Sequence, residues 1–431
     1  MRTFLVASIC LAACSSSDVV VGDLQEVNTL RAVPNRNLDI LFVIDNSPSM
    51  IEEQQSLATN FPLMIDALST LDGGLPNLHI GVVTSDLGST GSRTGIGRNV
   101  PGCTSSMDGN LLPIDPTHRF LSDVDDGAGG RTKNYTGDLR DAFATLANVG
   151  DQGCGFEQHL GAMVRALDDN PTNAGFLRPD ANLAIVVLAD EDDCSIADTA
   201  FFGDDPALGP LQSFRCFRFG VECDEDTSTV GTKTHCHPAA PSPYLDDVQP
   251  FADFLVSLKG DARKVMVAGV VGDPSPVAVE LAPPPGSTTP IPTLAHSCTY
   301  AGPSGPQSAD PAVRLAAFLD AFPGRSRLTS ICNADLSGAI GDIGMSAKSL
   351  MGDPCLTADV LPETCEVTDV RDSAPDDPIR LPRCADGGTT CFDVIADTNA
   401  CPNTPDHLRV QIRRGVDPSA DTWTHIRCQP R

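Results

Sequence analysis

The sequence predicts an α/β fold built on a mostly parallel β-sheet, and three observations carry that expectation. First, short unbroken apolar runs of strand length recur: "LDILFVID" (38–45), "LHIGVVTSD" (78–86), "NLAIVVLAD" (182–190) and "KVMVAGVVG" (264–272). Apolar residues at every position, rather than at alternate ones, mark a strand buried on both faces, as in parallel sheets covered by helices. Second, amphipathic helical stretches separate these runs, and strands alternating with helices define the class. Third, the chain is 41% hydrophobic but only 5% aromatic, so its core must be mainly aliphatic.

In order along the chain, residues 15–37 are polar and predict a tether followed by a first strand. After 38–45, Ser49 can cap a helix, with Glu52 three residues on completing a capping-box pattern. Met50, Leu57, Phe61, Met64, Leu68 and Leu71 then form one apolar helical stripe. Pro62 inside that stripe predicts a bend, and Gly73 and Gly74 a stop. A Gly-, Ser- and Asp-rich excursion occupies 88–133, followed by helices at 137–148 and 159–168. The strand at 182–190 leads into a cysteine-rich insertion at about 191–243. A helix near 246–258, the strand 264–272, a Pro-rich loop at 283–306, a helix at 311–322, the short strand "LTSIC" and a helix near 335–351 complete the pattern. The α/β domain is thus expected over 38–352. Residues 353–431 hold six cysteines and β-like runs such as "LRVQIRR", predicting a small disulfide-rich C-terminal region.

The formal charge is −28, spread along the chain without long acidic runs. Such a field repels nucleic-acid phosphates, so no nucleic-acid partner is expected. Residues 1–13 have a positive start at Arg2 and a short apolar run from Phe4 to Ala13, the layout of an export signal. "LAAC" (11–14) resembles the lipobox of bacterial lipoproteins. That resemblance implies cleavage before Cys14, lipid attachment to its sulfur, and a tether from 14 to 37. Membrane contact is then expected through the lipid anchor alone. Ser15 follows Cys14, where an aspartate would suggest inner-membrane retention, so the outer membrane of a bacterial envelope is the expected location.

Setting aside Cys10 and Cys14, fourteen of the sixteen cysteines remain, an even number in an exported chain and therefore disulfide candidates. Connectivity does not follow from sequence. The expected pairings are Cys103–Cys154, Cys298–Cys332, Cys355–Cys365, Cys384–Cys391 and Cys401–Cys428, with Cys194, Cys216, Cys223 and Cys236 pairing among themselves. His235-Cys236-His237 near Cys216 and Cys223 can also be read as zinc ligands, but an oxidising compartment favours disulfides. "NYT" (134–136) matches a glycosylation acceptor, a chance match in a bacterial chain.

Ligands of open α/β sheets bind beyond the carboxyl ends of the strands. Asp45 and Asp190 both stand at such ends, with Ser47 and Ser49 just past the first. Carboxylates and hydroxyls together suit a hard cation such as Mg²⁺, with Mn²⁺ or Ca²⁺ as alternatives. "FVIDNSPSM" resembles the Asp-x-Ser-x-Ser signature of von Willebrand factor A-type domains, and the cysteine content is similar to that of bacterial A-domain lipoproteins. The resemblance implies a Rossmann-like, doubly wound sheet with helices on both faces. It also implies a metal-ion-dependent adhesion site in which Ser47 and Ser49 coordinate directly and Asp45 acts largely through water. The sequence departs from that family in three places. Pro48 replaces a common glycine. "GCGFEQ" replaces the expected threonine, leaving Glu157 or Gln158 to supply its oxygen. Asp190 runs on into Glu191, Asp192 and Asp193, a possible second cation site for Ca²⁺.

These features predict a binding module whose cation accepts a carboxylate from an acidic residue of a protein partner, and no enzyme activity. A purely structural surface lipoprotein is the alternative without metal. A phosphatase-like hydrolase of the haloacid-dehalogenase type is disfavoured because it wants a second acid two residues after Asp45, where Ser47 stands.

Overall fold

The structure is a computed structural model; it describes residues 24–32, 35–71, 73–89, 99–103, 106–283, 288–352, 354–398, 401 and 404–431. The expected export signal and Cys14, the expected lipidation residue, lie outside the described residues. No described helix is long and apolar enough to cross a membrane. Two compact units divide the chain, Leu30–Pro354 and a smaller one of Cys355–Arg431 with the segment up to Thr29.

The larger unit holds a seven-stranded sheet. Its strands are β1 (Asn37–Ile44), β2 (Asn77–Thr84), β3 (Leu121–Asp125), β4 (Arg131–Lys133), β5 (Asn182–Ala189), β6 (Val265–Val271) and β7 (Ser326–Ser330). Their order across the sheet is β7-β6-β5-β1-β2-β3-β4. The first five in that order are parallel neighbours, and β3 and β4 add antiparallel at one edge. Those two edge strands lie within the Gly- and Asp-rich excursion, where short polar runs carry no hydrophobic period to betray them.

Among the described residues seven α-helices accompany the strands: α1 (Ile51–Ser69), α2 (Leu139–Ala147), α3 (His159–Leu167), α4 (Phe214–Gly220), α5 (Gln249–Lys259), α6 (Val313–Asp320) and α7 (Ser337–Leu350). Side chains alternate across β1, and this splits the core into two layers. Leu38, Ile40, Phe42 and Ile44 pack with α1, α2 and α7. Leu41 and Val43 pack on the other face with α3, α5 and α6. Phe42, Phe61 and Phe143 form an aromatic knot on the first face, with Phe61 and Phe143 stacked at 3.7 Å between centroids.

Helix α1 corrects one expectation. Ser49 makes no capping bond; a 3₁₀ turn, Pro48–Met50, precedes the helix, and Met50 stands at its cap without a side-chain bond. Glu52 closes no capping box, because its Oε1 accepts instead from the backbone N–H of Ser304 at 2.7 Å. Pro62 lies inside the helix, which continues to Ser69.

Gly231–Lys233 of the insertion, Val277–Ala282 and Ile291–Leu294 form a three-stranded sheet, and Cys298–Gly302 pairs with Gly305–Ala309 as a hairpin. The Asn134 side chain of "NYT" is spent locally, accepting from Ser122 N and donating to Phe120 O, both at 2.8 Å.

Among the described residues seven disulfides form. Cys103–Cys154, Cys298–Cys332 and Cys384–Cys391 match the expected pairings, and the four cysteines expected to pair among themselves do so as Cys194–Cys216 and Cys223–Cys236. The zinc alternative falls, since its cysteines are oxidised. Cys355–Cys365 and Cys401–Cys428 are replaced by Cys355–Cys401 and Cys365–Cys428. Strand register explains the second change. Glu366–Arg371 pairs antiparallel with Thr422–Cys428, and Glu366 opposite Arg427 sets Cys365 beside Cys428. The strand Gln25–Arg31, which belongs to the smaller unit as far as Thr29, flanks Thr422–Cys428 in a four-stranded sheet.

Candidate functional site: carboxylates at the strand ends

Residue Ile44 of β1 pairs with Leu188 of β5, and the next backbone bond, Asp45 N–H to Leu188 O at 2.9 Å, carries the pairing one residue further. Asp45 and Asp190 therefore leave adjacent parallel strands side by side. Asp45 is fully buried, Asp190 is 6% exposed and Ser47 3%, while Ser49 is exposed.

The loop after β1 is held by its own polar groups. Asp45 Oδ1 accepts from Ser47 N–H at 2.7 Å, and the Ser47 and Ser49 hydroxyls lie 3.0 Å apart. Gln54 reaches back from α1, donating to Asp45 O at 3.1 Å and Gly150 O at 2.9 Å. Gly153 donates to Asn46 O at 2.8 Å, and a Cβ there would sit 2.5 Å from Asn46 Oδ1, so only glycine allows this approach. Gly272 plays a like part: a Cβ would meet Asp310 O at 2.0 Å, and Asp310 N–H donates to Asp190 O at 2.8 Å.

What distinguishes the site is unmet bonding capacity. Asp45 Oδ2, Asp190 Oδ1, Glu191 Oε2 and Glu157 Oε1 are all closed off from solvent and lack a hydrogen-bond partner. Oxygens of Asp45, Asp190 and Glu191 lie within 4.8 Å of one another, and this is the acidic grouping of that tightness among the described residues. Burial of carboxylates without partners disfavours their charged form. Burial first, then the Asp45 charge, pushes Asp190 up to about 7, while Ser49 and Glu191 pull it down through side-chain hydrogen bonds. Burial, followed by Asp45, holds Glu157 well above the ordinary carboxylate range; burial, followed by Glu157, does the same to Glu191.

His159, fully buried at the start of α3, places Nε2 3.5 Å from Asp45 Oδ2, a long contact that forms an ion pair when the ring is protonated. Burial works against its charged form, but attraction to Asp45, Asp193 and Asp192 outweighs that and raises its pKa. Glu53 accepts from the Tyr300 hydroxyl at 2.5 Å, and burial raises its pKa as well.

The strand ends thus bring Asp45, Ser47, Ser49 and Asp190 together, with Glu157 close by. Gln158 is not available: its amide donates to Gly88 O at 3.1 Å and its Oε1 accepts from Ile196 N–H at 3.1 Å. Nor do Glu191, Asp192 and Asp193 form a second cation site. Glu191 joins the first cluster. Asp192 accepts from the N–H groups of Arg314 and Leu315, capping α6. Asp193 accepts from Leu160 N–H at 2.9 Å and from Arg314 Nη2 at 3.1 Å. Sequence reasoning missed Glu53, Tyr300 and Asp310 altogether. Of these only Glu53 left a trace, in the first turn after the Ser47–Ser49 loop.

An all-oxygen donor set with open valences, and with His159 as its basic neighbour beside Asp45, fits a hard divalent cation. No protein-family model and no curated protein matches the sequence. Similar solved structures include a von Willebrand factor type A protein from Catenulispora acidiphila, at 12% identity and TM-score 0.30, covering 95% of this chain and 63% of that one. A pilus adhesin from Streptococcus pneumoniae matches at 11% identity and TM-score 0.30, covering 94% and 58%. An adhesive tip pilin from Streptococcus agalactiae matches at 11% identity and TM-score 0.33, covering 94% and 81%. The chain spans less than two thirds of the length of the first two.

Proposed function

We propose that this chain is an exported, lipid-anchored protein-binding module that engages its partner through a divalent cation. The observation that carries the reading is the set of buried, unpartnered oxygens on Asp45, Asp190 and Glu191 at the ends of adjacent parallel strands. Leaving a buried polar oxygen unpaired costs about 1–3 kcal/mol, more when it is charged. A cation offsets that cost at every one of these atoms at once. Asp45, Asp190 and Glu191 would hold it, with the Ser47 and Ser49 hydroxyls on the solvent side and one position left for a carboxylate of the partner. The Asp-x-Ser-x-Ser spacing and the strand order, which we read as doubly wound, support the assignment. Cys14 would carry the anchor on the outer membrane, and the site is assigned binding rather than catalysis.

Calorimetric titration of Mg²⁺, Mn²⁺ and Ca²⁺ into the disulfide-intact chain tests the metal directly. Saturable one-site binding by the wild type, lost in Asp45→Ala, is the expected result. Equal heats from the two proteins would remove the cation from the proposal.

A further inference from the structure

The oxygen set departs from its resemblance at one position with a chemical consequence. Where a neutral threonine is expected ahead of α3, the chain has Glu157, which is 2% exposed. Backbone bonds fix it there: Gln158 N–H donates to Ser85 O at 2.9 Å, and Cys194 N–H donates to Glu157 O at 2.7 Å. Glu157 and Glu191 line a common cavity of about 40 Å³, walled further by Asp310, Phe214, Leu294 and Pro311. That volume admits one or two small species such as an ion or a water.

Glu191 belongs both to this cavity and to the tight group with Asp45 and Asp190, so Glu157 adjoins that group across the cavity, and each of the four carboxylates has an oxygen that meets no donor. Among the described ion pairs one basic side chain meets them, His159 beside Asp45 at 3.5 Å, and a single imidazolium leaves most of their charge unbalanced. Arg314 is engaged by Asp193, and Arg178 and Lys259 by Asp39.

Mg²⁺ demands a near-octahedral shell at about 2.0–2.1 Å, keeps several waters and is usually served by one or two carboxylates. Ca²⁺ takes about 6–8 oxygens at roughly 2.3–2.6 Å, and accepts carboxylates singly or doubly. Its coordination sphere, about 4.6–5.2 Å across, accommodates oxygens spread within 4.8 Å without drawing them together. Three carboxylates and two hydroxyls, with Glu157 added from across the cavity it shares with Glu191, would reach Ca²⁺ coordination numbers and leave little space for the waters that Mg²⁺ retains.

We infer that the site is selective for Ca²⁺ over Mg²⁺, and that Glu157 is the residue that sets the preference. The inference rests on the metal-site reading above and concerns which cation it takes.

The test is separate titration of Ca²⁺ and Mg²⁺ into the disulfide-intact wild type, Glu157→Thr and Glu157→Gln. The wild type is expected to bind Ca²⁺ at least about tenfold more tightly, and both variants to lose roughly 10–100-fold in Ca²⁺ affinity with a smaller change for Mg²⁺. The ratio of the two dissociation constants then falls toward one. Circular dichroism and Tm in chelator check the fold, and the near-isosteric Glu157→Gln carries the test alone if the threonine variant does not fold. A wild type that binds Mg²⁺ as tightly as Ca²⁺, or a ratio unchanged in the folded variants, would overturn the selectivity and leave the metal site standing. A wild type that binds neither ion would overturn both.

Discussion

Asp190-Glu191 and Asp192-Asp193 are consecutive in the chain, and the structure gives the two halves opposite roles. Asp192 and Asp193 are saturated. Asp192 accepts from Arg314, Leu315 and Asp193 N–H groups at 2.8–3.1 Å, and Asp193 from Leu160, both Ser195 donors and Arg314. Asp190 Oδ1 and Glu191 Oε2 meet no donor at all. All four sit in one acidic tetrapeptide just past β5, so composition and local charge cannot separate them. What separates them is the supply of N–H groups. The N-termini of α3 and α6 point at the second pair and satisfy it, as helix N-termini do for carboxylates. The first pair turns toward Asp45 and meets another carboxylate there instead of a helix N-terminus. A saturated carboxylate holds the fold together; an unsaturated one waits for a cation.

Breaking the saturated half should cost the most. Asp193→Ala leaves the guanidinium of Arg314, fully buried, without its carboxylate and strips the donor groups at α3 of their acceptor. Removing one member of a buried ion pair costs about 3–5 kcal/mol. Chemical denaturation with the disulfides intact, followed by circular dichroism, should show a loss of that size. A shift under about 1 kcal/mol would place Asp193 with the unsaturated pair.

The other half should respond with the opposite sign. In chelator, Asp190→Asn removes a buried charge that nothing neutralises, and the variant should be more stable than the wild type by about 1–3 kcal/mol at pH 8. The pH dependence follows from the same group. Asp190 is raised from 3.8 in the unfolded chain to about 7 in the fold, so folding takes up a proton between those values. Where the native state binds more protons, stability falls as pH rises. The metal-free wild type should therefore be less stable at pH 8 than at pH 5. In Asp190→Asn the fall should be smaller, the remainder coming from Asp192, which burial pushes up to about 6, and from Glu157 and Glu191. Denaturation midpoints at the two pH values decide it, and an equally steep fall in both proteins would deny Asp190 its part.

How much of this was legible beforehand depends on the range of the interactions involved. Asp45 and Asp190 could be placed at one sheet edge because unbroken apolar runs reveal buried parallel strands and strand ends share a side. Ser47 and Ser49 followed from local spacing. The division of the acidic tetrapeptide could not be read, since it depends on Leu160 and Arg314, which reach Asp192 and Asp193 only through the fold. Gln158 seemed as good an oxygen donor as Glu157 until Gly88 and Ile196 claimed its amide. Strands β3 and β4 stayed hidden because edge strands need no apolar period. In the smaller unit, the partners of Cys365 and Cys401 were decided by strand register, which spacing does not encode.

Glu53 is the intermediate case, and it sharpens the comparison with a small effect. One of its oxygens, Oε1, accepts from the Tyr300 hydroxyl, while Oε2 is unpartnered. It lies near enough to Asp45 for their charges to interact, yet it stands outside the tight group of Asp45, Asp190 and Glu191. If hydrogen bonding marks a carboxylate as structural, Tyr300 serves the fold and not the cation. Tyr300→Phe removes only the hydroxyl, and a net hydrogen bond of this kind contributes about 1 kcal/mol. The denaturation midpoint should fall by that amount, while the Ca²⁺ dissociation constant from titration stays within about twofold. A twofold change corresponds to about 0.4 kcal/mol, well below the stability effect. A Ca²⁺ affinity that dropped tenfold with stability unchanged would instead make Glu53 a member of the cation shell, and Tyr300 the group that orients it.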